Sequence, residues 1–339
     1  MNPSPLHTIH ETRTRDFIMY TPWNILLPNS FSSPVDEYQR WIDGRGIFDS
    51  SADEVLVLHG KDCLALLHRL STNHLASLPQ GKSAFSVLTT EKGRFVDSVQ
   101  VLHVDQEFHV VCSPGRGKAV AAWIDRYTIR EDVRIELMDA WSSLTLGEHA
   151  ATDMGIDVPL PGHLSIYNRS MYVSRSDLGI RIHGAYGEIA AFFSKALERE
   201  DIYPIGFSAI NRWRIEQKIP WWPTEMNENT NPLEAGLTDR ISFNKGCYVG
   251  QEVIARLDTY EKIQRHLVLL ELDSTPELPA TVTVEGREIG WITSTFFDHK
   301  LNLNKCLAYL KTAYSKTDQT LSILSTNSQQ KNSGHIANG

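Results

Sequence analysis

The apolar residues of this chain come in runs of strand length, never of membrane-spanning length. Val55-Leu56-Val57-Leu58 and Leu267-Val268-Leu269-Leu270 are representative. A helical bilayer span needs about 18 or more consecutive apolar residues, so a chain of this pattern is expected to be cytoplasmic, with no membrane partner. Near the N-terminus Arg13 and Arg15 are offset by Glu11 and Asp16, which argues against a transit peptide.

Short runs separated by turn residues predict many strands. Glu54 to His59, Ser83 to Thr89, Arg94 to Val104 and Phe108 to Cys112 read as strands, with Glu91-Lys92-Gly93 turning one hairpin. Helical spacing appears in Lys61 to Leu70, Lys118 to Tyr127, Gly187 to Arg199 and Ile205 to Glu216. Ser142 to Leu146, Met171 to Ser174 and Gly179 to His183 are further strands. Helices interleaved with strands indicate an α+β fold. From Arg265 the pattern is all strand, with Glu285-Gly286-Arg287 as a tight turn, so a small β-barrel or sandwich is expected. The expected organisation is an extended lead-in over 1–34 and an α+β region over 35–262, of two units meeting near 140. A barrel over 263–315 and a disordered, polar tail over 316–339 complete it.

The 339 residues carry a net charge of −8. That argues against a general nucleic-acid-binding surface while leaving room for a local basic patch, and an anionic ligand would need individually placed Arg or Lys side chains. Cys63, Cys112, Cys247 and Cys306 form no C-x-x-C pair. Neither a disulfide framework nor a resident metal or iron–sulfur centre is expected.

Lys245-Gly246-Cys247-Tyr248-Val249-Gly250-Gln251-Glu252 is the most informative segment. A cation beside a thiol, just before a helix start near Gln251, favours thiolate. Gly246 and Gly250 permit unusual backbone angles and close ligand approach. Residue chemistry alone leaves a second reading open, a buried structural cysteine in a turn. The apolar settings of Cys63, Cys112 and Cys306 predict that these three are shielded.

This octapeptide resembles the K-G-C-[FY]-x-G-Q-E signature of YgfZ-type proteins, relatives of the glycine-cleavage T-protein. Further resemblance lies in Gly46-Ile47-Phe48-Asp49, Leu70-Ser71-Thr72-Asn73 with Leu78, Pro232-Leu233-Glu234-Ala235-Gly236-Leu237 and Ile292-Thr293-Ser294. The resemblance runs from about Tyr38 to Leu310 and implies a T-protein-like ring of α+β units that binds folate, followed by a C-terminal β-barrel. It implies tetrahydrofolate as cofactor. It assigns Glu216, in Arg214-Ile215-Glu216, to the pterin edge, where a carboxylate can accept two N–H donors. It assigns Asp97 to the folate nitrogens. The T-protein has two acids there, and Ser98 replaces the second. Within the signature, Lys245, Gly246, Tyr248, Gly250, Gln251 and Glu252 are folate-contact candidates and Cys247 a reactive thiol. Arg240, Lys245 and Arg256 are the nearby cations for a folate's glutamate tail, and Trp213, Trp221 and Trp222 offer either stacking or core packing.

Of two functions the first is the expected one and the second its alternative. One is an accessory protein that binds tetrahydrofolate and uses Cys247 in assembly, maintenance or repair of iron–sulfur enzymes, including tRNA-modifying ones. Its partners would be those enzymes or assembly proteins. The other is a folate-dependent aminomethyltransferase of the glycine-cleavage type. The missing second acid at Ser98 speaks against a classical aminomethyltransferase, and whether the chain is an enzyme stays open.

Overall fold

The computed structural model describes residues 2–259, 262–298, 300–316, 320–325 and 331–337. The chain divides into two compact units. The first holds residues 1–89, 96–210 and 240–249, and the second holds 90–95, 211–239 and 250–339.

The first unit opens with β1 (Asn2–Pro3), α1 (His7–His10), β2 (Phe17–Tyr20) and β3 (Ile25–Pro28), the strands forming a small sheet in the order β1-β3-β2. The lead-in expected to be merely extended is therefore folded. Leu6 and Leu27 are buried, and Ser4 and His10 both bond the buried Asp49 carboxylate, His10 at 2.8 Å. A few apolar side chains and two polar anchors suffice to dock a segment that composition alone makes look loose. α2 (Pro34–Ile42) follows.

Two sheets then form the body of this unit. β4 (Gly46–Asp49) and β5 (Glu54–His59) diverge into different sheets. α3 (Cys63–Leu70), β6 (Ser83–Thr89), β7 (Phe95–Val104), β8 (Glu107–Cys112), α4 (Gly117–Arg126) and β9 (Arg134–Leu137) complete the first sheet, ordered β6-β7-β8-β5-β9. β10 (Trp141–Leu146), α5 (Glu148–Asp153), β11 (Leu164–Tyr167), β12 (Met171–Arg175), β13 (Ile180–Ala185), α6 (Tyr186–Leu197) and β14 (Tyr203–Ile205) complete the second, ordered β11-β12-β13-β10-β4-β14. Period-two alternation gives each strand two different faces. On β7, Val99 and Val101 join α3 and α4 in one core, while Leu102 and Val104 join Val55 and Val111 in a second core against Trp141 and Tyr172. On β10 and β13, Leu144, Leu146, Ile180 and Ile182 pack with Phe192 and Phe193 of α6. The order is helices, sheet, sheet, helices.

The layer between the sheets carries unusual polarity. His109 and His183 are buried with ring nitrogens 3.4 Å apart, His109 edge-on and His183 tilted against Trp141 and Tyr172. Burial draws the His109 pKa down to about 4 and His183 well below its ordinary value. An unfolded histidine takes up its proton near pH 6.5, so on acidification the unfolded state binds protons that the folded state refuses. Stability contributed by the pair is present above pH 6.5 and lost as pH falls, by about 3 kcal/mol for His109 alone. Asp97 opposes this below about pH 6, because burial raises its pKa to about 6 and its folded form binds the extra proton. His109→Gln is therefore expected to show a shallower loss of denaturation midpoint between pH 6.5 and 4.5 than wild type. Parallel profiles would exclude the pair as the source.

α7 (Phe207–Glu216) bridges the two units along the chain. The second unit contains α8 (Gln251–Thr259) and a closed barrel of β15 (Arg265–Leu272), β16 (Ala280–Val284), β17 (Arg287–Asp298), β18 (Leu303–Lys311), β19 (Leu321–Ser325) and β20 (Lys331–Ile336), ordered β15-β18-β17-β16-β19-β20. Glu285 and Gly286 both have positive φ (50° and 76°), the left-handed pair that a two-residue hairpin turn demands. The tail was expected to be disordered from 316. Its described parts instead supply β19 and β20, which close the barrel. A barrel strand needs only every second residue apolar. Leu321 and Ile323 meet that need, and the intervening serine reads as disorder in a composition count.

Candidate functional site

The signature loop belongs to the first unit through Val249. Its Lys245 is only 7% exposed, and its ammonium donates to the carbonyls of His68, Ser71 and Asn73 at 2.5, 2.6 and 2.8 Å. These carbonyls lie at and just beyond the C-terminal turn of α3, where helix geometry leaves acceptors without partners and a cation is favoured. An ammonium has three N–H donors, and here all three are used. Burial draws its pKa down to about 8. Lys245 thus tethers the loop to the end of α3 through three backbone carbonyls.

Four residues on, the Val249 amide donates to Arg69 O at 3.1 Å and its carbonyl accepts from Thr89 Oγ1 at 2.6 Å. Anchors at 245 and 249 hold the intervening residues as a fixed bulge. Tyr248 turns inward, 9% exposed, with the Lys245 ammonium 5.0 Å from its ring centre, and burial lifts its phenol to about 12. Cys247 turns outward and is exposed, whereas Cys63, Cys112 and Cys306 are buried. Burial pushes Cys63 up to about 11, and Cys112 and Cys306 further. Gly246 is exposed with open space around it. Gly250 has φ +84°, the left-handed conformation that glycine adopts freely, immediately before α8. In the second unit, Gln251 opens α8 half-buried, and Glu252 points to solvent against Arg256 at 2.5 Å.

On β7 the neighbours Asp97 and Ser98 face opposite ways. Asp97 is fully buried and accepts from the Ser98 and Ser113 amides at 2.9 Å each. Both of its oxygens are thereby engaged within the unit. Ser98 faces the polar layer, and its hydroxyl accepts from Arg240 Nη1 at 2.6 Å. Arg240 is buried, lies 4.6 Å from the centre of the Phe85 ring and pairs with Asp177. Two residues along the same face of β7, Gln100 accepts from Arg181 Nη1 at 3.1 Å, and Arg181 pairs with Asp53 at 2.8 Å. Around Ser98, the residue that replaces the second acid of the resemblance, this chain presents two guanidinium groups. Sequence reasoning had Arg240 only as one of three nearby cations and missed Arg181, Asp53 and Asp177. The alternation of Ser98 and Gln100 on a strand is the signal that could have found them.

Glu216 lies in the second unit, at the last turn of α7. It is about 15% exposed, with Arg212 Nε at 3.3 Å and Lys305 at 3.7 Å. Arg212 also holds Asp298 at 2.9 Å, and Lys305 lies 3.9 Å from Glu271. This alternating network fixes the carboxylate at the lip of the helix. The neighbouring Arg214 is buried and bonds Glu225 (3.0 Å), Ser294 (2.6 Å) and Asn211 (3.0 Å), with Trp221 4.3 Å from its guanidinium. Burial pushes the Glu225 carboxyl upward, but Arg214 and the Ser294 hydroxyl outweigh it and hold the pKa below the usual range. The Ile292-Thr293-Ser294 motif therefore serves structure, since Ser294 also donates to Glu225 at 2.6 Å. Trp221 packs on this ion pair. Among the described residues no group of three or more His, Cys, Asp or Glu comes together to hold a metal ion, and no helix is long and apolar enough to cross a membrane.

Residues 6–151 match the family description GCVT N-terminal domain. The chain is 24% identical over 350 residues to an aminomethyltransferase of Symbiobacterium thermophilum, covering 95% of this chain and 92% of that one. It is 25% identical over 344 residues to an aminomethyltransferase of Desulfitobacterium hafniense, covering 95% and 93%. A putative chloroplastic transferase of Arabidopsis thaliana is 28% identical over 286 residues, covering 78% of this chain and 65% of the relative. Among solved structures, the glycine cleavage system aminomethyltransferase T of Bartonella henselae superimposes with a TM-score of 0.86 at 18% identity, covering 99% of this chain and 97% of that one. The expected α+β T-protein fold with a C-terminal barrel is thus the observed one. Residues 6–151 thus resemble the GCVT N-terminal domain, and the chain shares the fold of the glycine cleavage system aminomethyltransferase T along its length.

Proposed function

We propose that this chain binds tetrahydrofolate and acts in folate-dependent transfer of an aminomethyl-type one-carbon unit. The observation that carries the reading is Glu216, half-buried on the last turn of α7 and braced by Arg212 and Lys305. A carboxylate so fixed suits the paired N–H donors of a pterin edge, and little side-chain entropy remains to be lost on binding. The names of relatives aligned over nearly the whole chain support aminomethyl transfer as the activity. When bound, tetrahydrofolate would supply the nitrogens that carry the one-carbon unit, and this chain's residues would orient it.

A second reading is favoured by two specific observations. Ser98 stands where the T-protein has an acid, and Cys247 is held outward by anchors on both sides. Both suit an accessory protein that keeps the folate site but works on iron–sulfur enzymes through an exposed thiol. An assay with aminomethylated lipoyl carrier protein and tetrahydrofolate separates the two. The first reading predicts turnover in the ordinary enzymatic range, about 1 per second or more. Background turnover from a protein that still binds tetrahydrofolate would transfer the proposal to the second.

A further inference from the structure

The inter-sheet polar layer contains a pair of arginines whose hydrogen bonding is incomplete. Arg240 has 8% of its side chain exposed, and Arg181 12%. Arg240 gives Nη1 to Ser98 and Nη2 to Asp177, and Arg181 gives Nη1 to Gln100 and Nη2 to Asp53. In both, the buried Nε–H has no acceptor among the described residues. Leaving a buried charged donor unsatisfied is costly. Twice in one cluster, it points to a missing acceptor. Nε and Nη2 share one edge of a guanidinium, the edge that grips a carboxylate through two parallel N–H···O bonds. Asp177 engages Arg240 through Nη2 and one carboxylate oxygen only, leaving that edge half used.

The two counter-ions differ. Asp53 has 19% of its side chain exposed and immediately precedes β5, whereas Asp177 has 36% exposed and lies in the Ser176–Gly179 turn between β12 and β13. A turn side chain can swing out at low cost, while the guanidinium, packed on Phe85, stays. We propose that Arg240 and Arg181 form a binding site for a carboxylate-bearing ligand, with Asp177 as a displaceable counter-ion that occupies Arg240 until the ligand arrives. The ligand's carboxylate would take the Nε and Nη2 edge of Arg240. Ser98 completes the arrangement, because an acid in its place would neutralise the guanidinium permanently. This site lies within the first unit and does not depend on the assignment of Glu216 or on any turnover.

Calorimetry with p-aminobenzoyl-glutamate and with glutarate tests it on the full-length protein, alongside NMR of the arginine Nε–H resonances. Binding is expected to shift the Arg240 Nε–H. Asp177→Asn, which leaves Arg240 without its competitor, is expected to tighten binding about tenfold, the scale of one charge-assisted hydrogen bond. Arg240→Gln should weaken it by at least as much. Binding of both acids assigns the site to carboxylates in general, and binding of the acylglutamate alone assigns it to ligands with that tail. An unshifted Arg240 Nε–H with both acids, or Asp177→Asn binding no better than wild type, would overturn the proposal and leave a structural ion pair. If Arg240→Gln fails to fold, the Asp177→Asn comparison decides alone.

Discussion

Glu225→Gln should destabilise the second unit by about 3–5 kcal/mol, because it strips the counter-charge from a guanidinium that has no access to water. Arg214 is 1% exposed and Glu225 fully buried. Their ion pair is ringed by Ser294, Thr224 and the Trp221 amide, all donating to Glu225. Glutamine keeps the shape and loses the charge, so the loss would be electrostatic rather than steric. Denaturant unfolding followed by barrel tryptophan or near-UV signal would measure it. Replacing both partners by apolar residues of similar volume should cost much less than replacing Glu225 alone. A small effect from Glu225→Gln would mean that water reaches the pair.

Lys245→Met is the second large expectation, and it separates two explanations of one motif. If Lys245 served a ligand, its loss would weaken binding and leave stability alone. The geometry predicts the reverse. Three carbonyls lose a charged donor at once, and each acceptor left buried without a partner costs about 1–3 kcal/mol. Relaxation and water entry reduce the sum, so a loss of about 3 kcal/mol or more is expected, read as a lowered denaturation midpoint. The Cys247 bulge should loosen with it, because one of its two anchors is gone. A variant as stable as wild type with impaired ligand binding would return Lys245 to the site.

Much of the architecture is legible in the chain, and the failures share a physical cause. A strand such as Glu54–His59 declares itself by a clean apolar run, and α4 by its helical spacing. β19 does not, because a short barrel strand with serines between its apolar residues resembles a polar tail. The docked N-terminus is hidden for a similar reason, since its anchors on Asp49 come from 39 and 45 residues away. At the site, residue type was readable but direction was not. Asp97 and Ser98 are adjacent, and only the strand's pleat decides that the acid points into the core and the serine toward Arg240. The K-G-C-Y-V-G-Q-E segment marks an important loop. Its lysine and tyrosine build the loop, Gly250 bends it, and Cys247 is what the loop displays.

Folate recognition by Glu216 underlies the functional reading, and calorimetric titration of tetrahydrofolate into wild type and Glu216→Gln tests it directly. Wild type should bind one equivalent. Glu216→Gln, which can accept only one of the two pterin N–H donors, should bind more weakly by about 1.5–3 kcal/mol, the range for a hydrogen bond to a charged group. The Arg212 and Lys305 network should keep the variant folded. Equal affinities would remove Glu216 from the site, and a wild-type protein that shows no heat of binding would contradict the folate account itself.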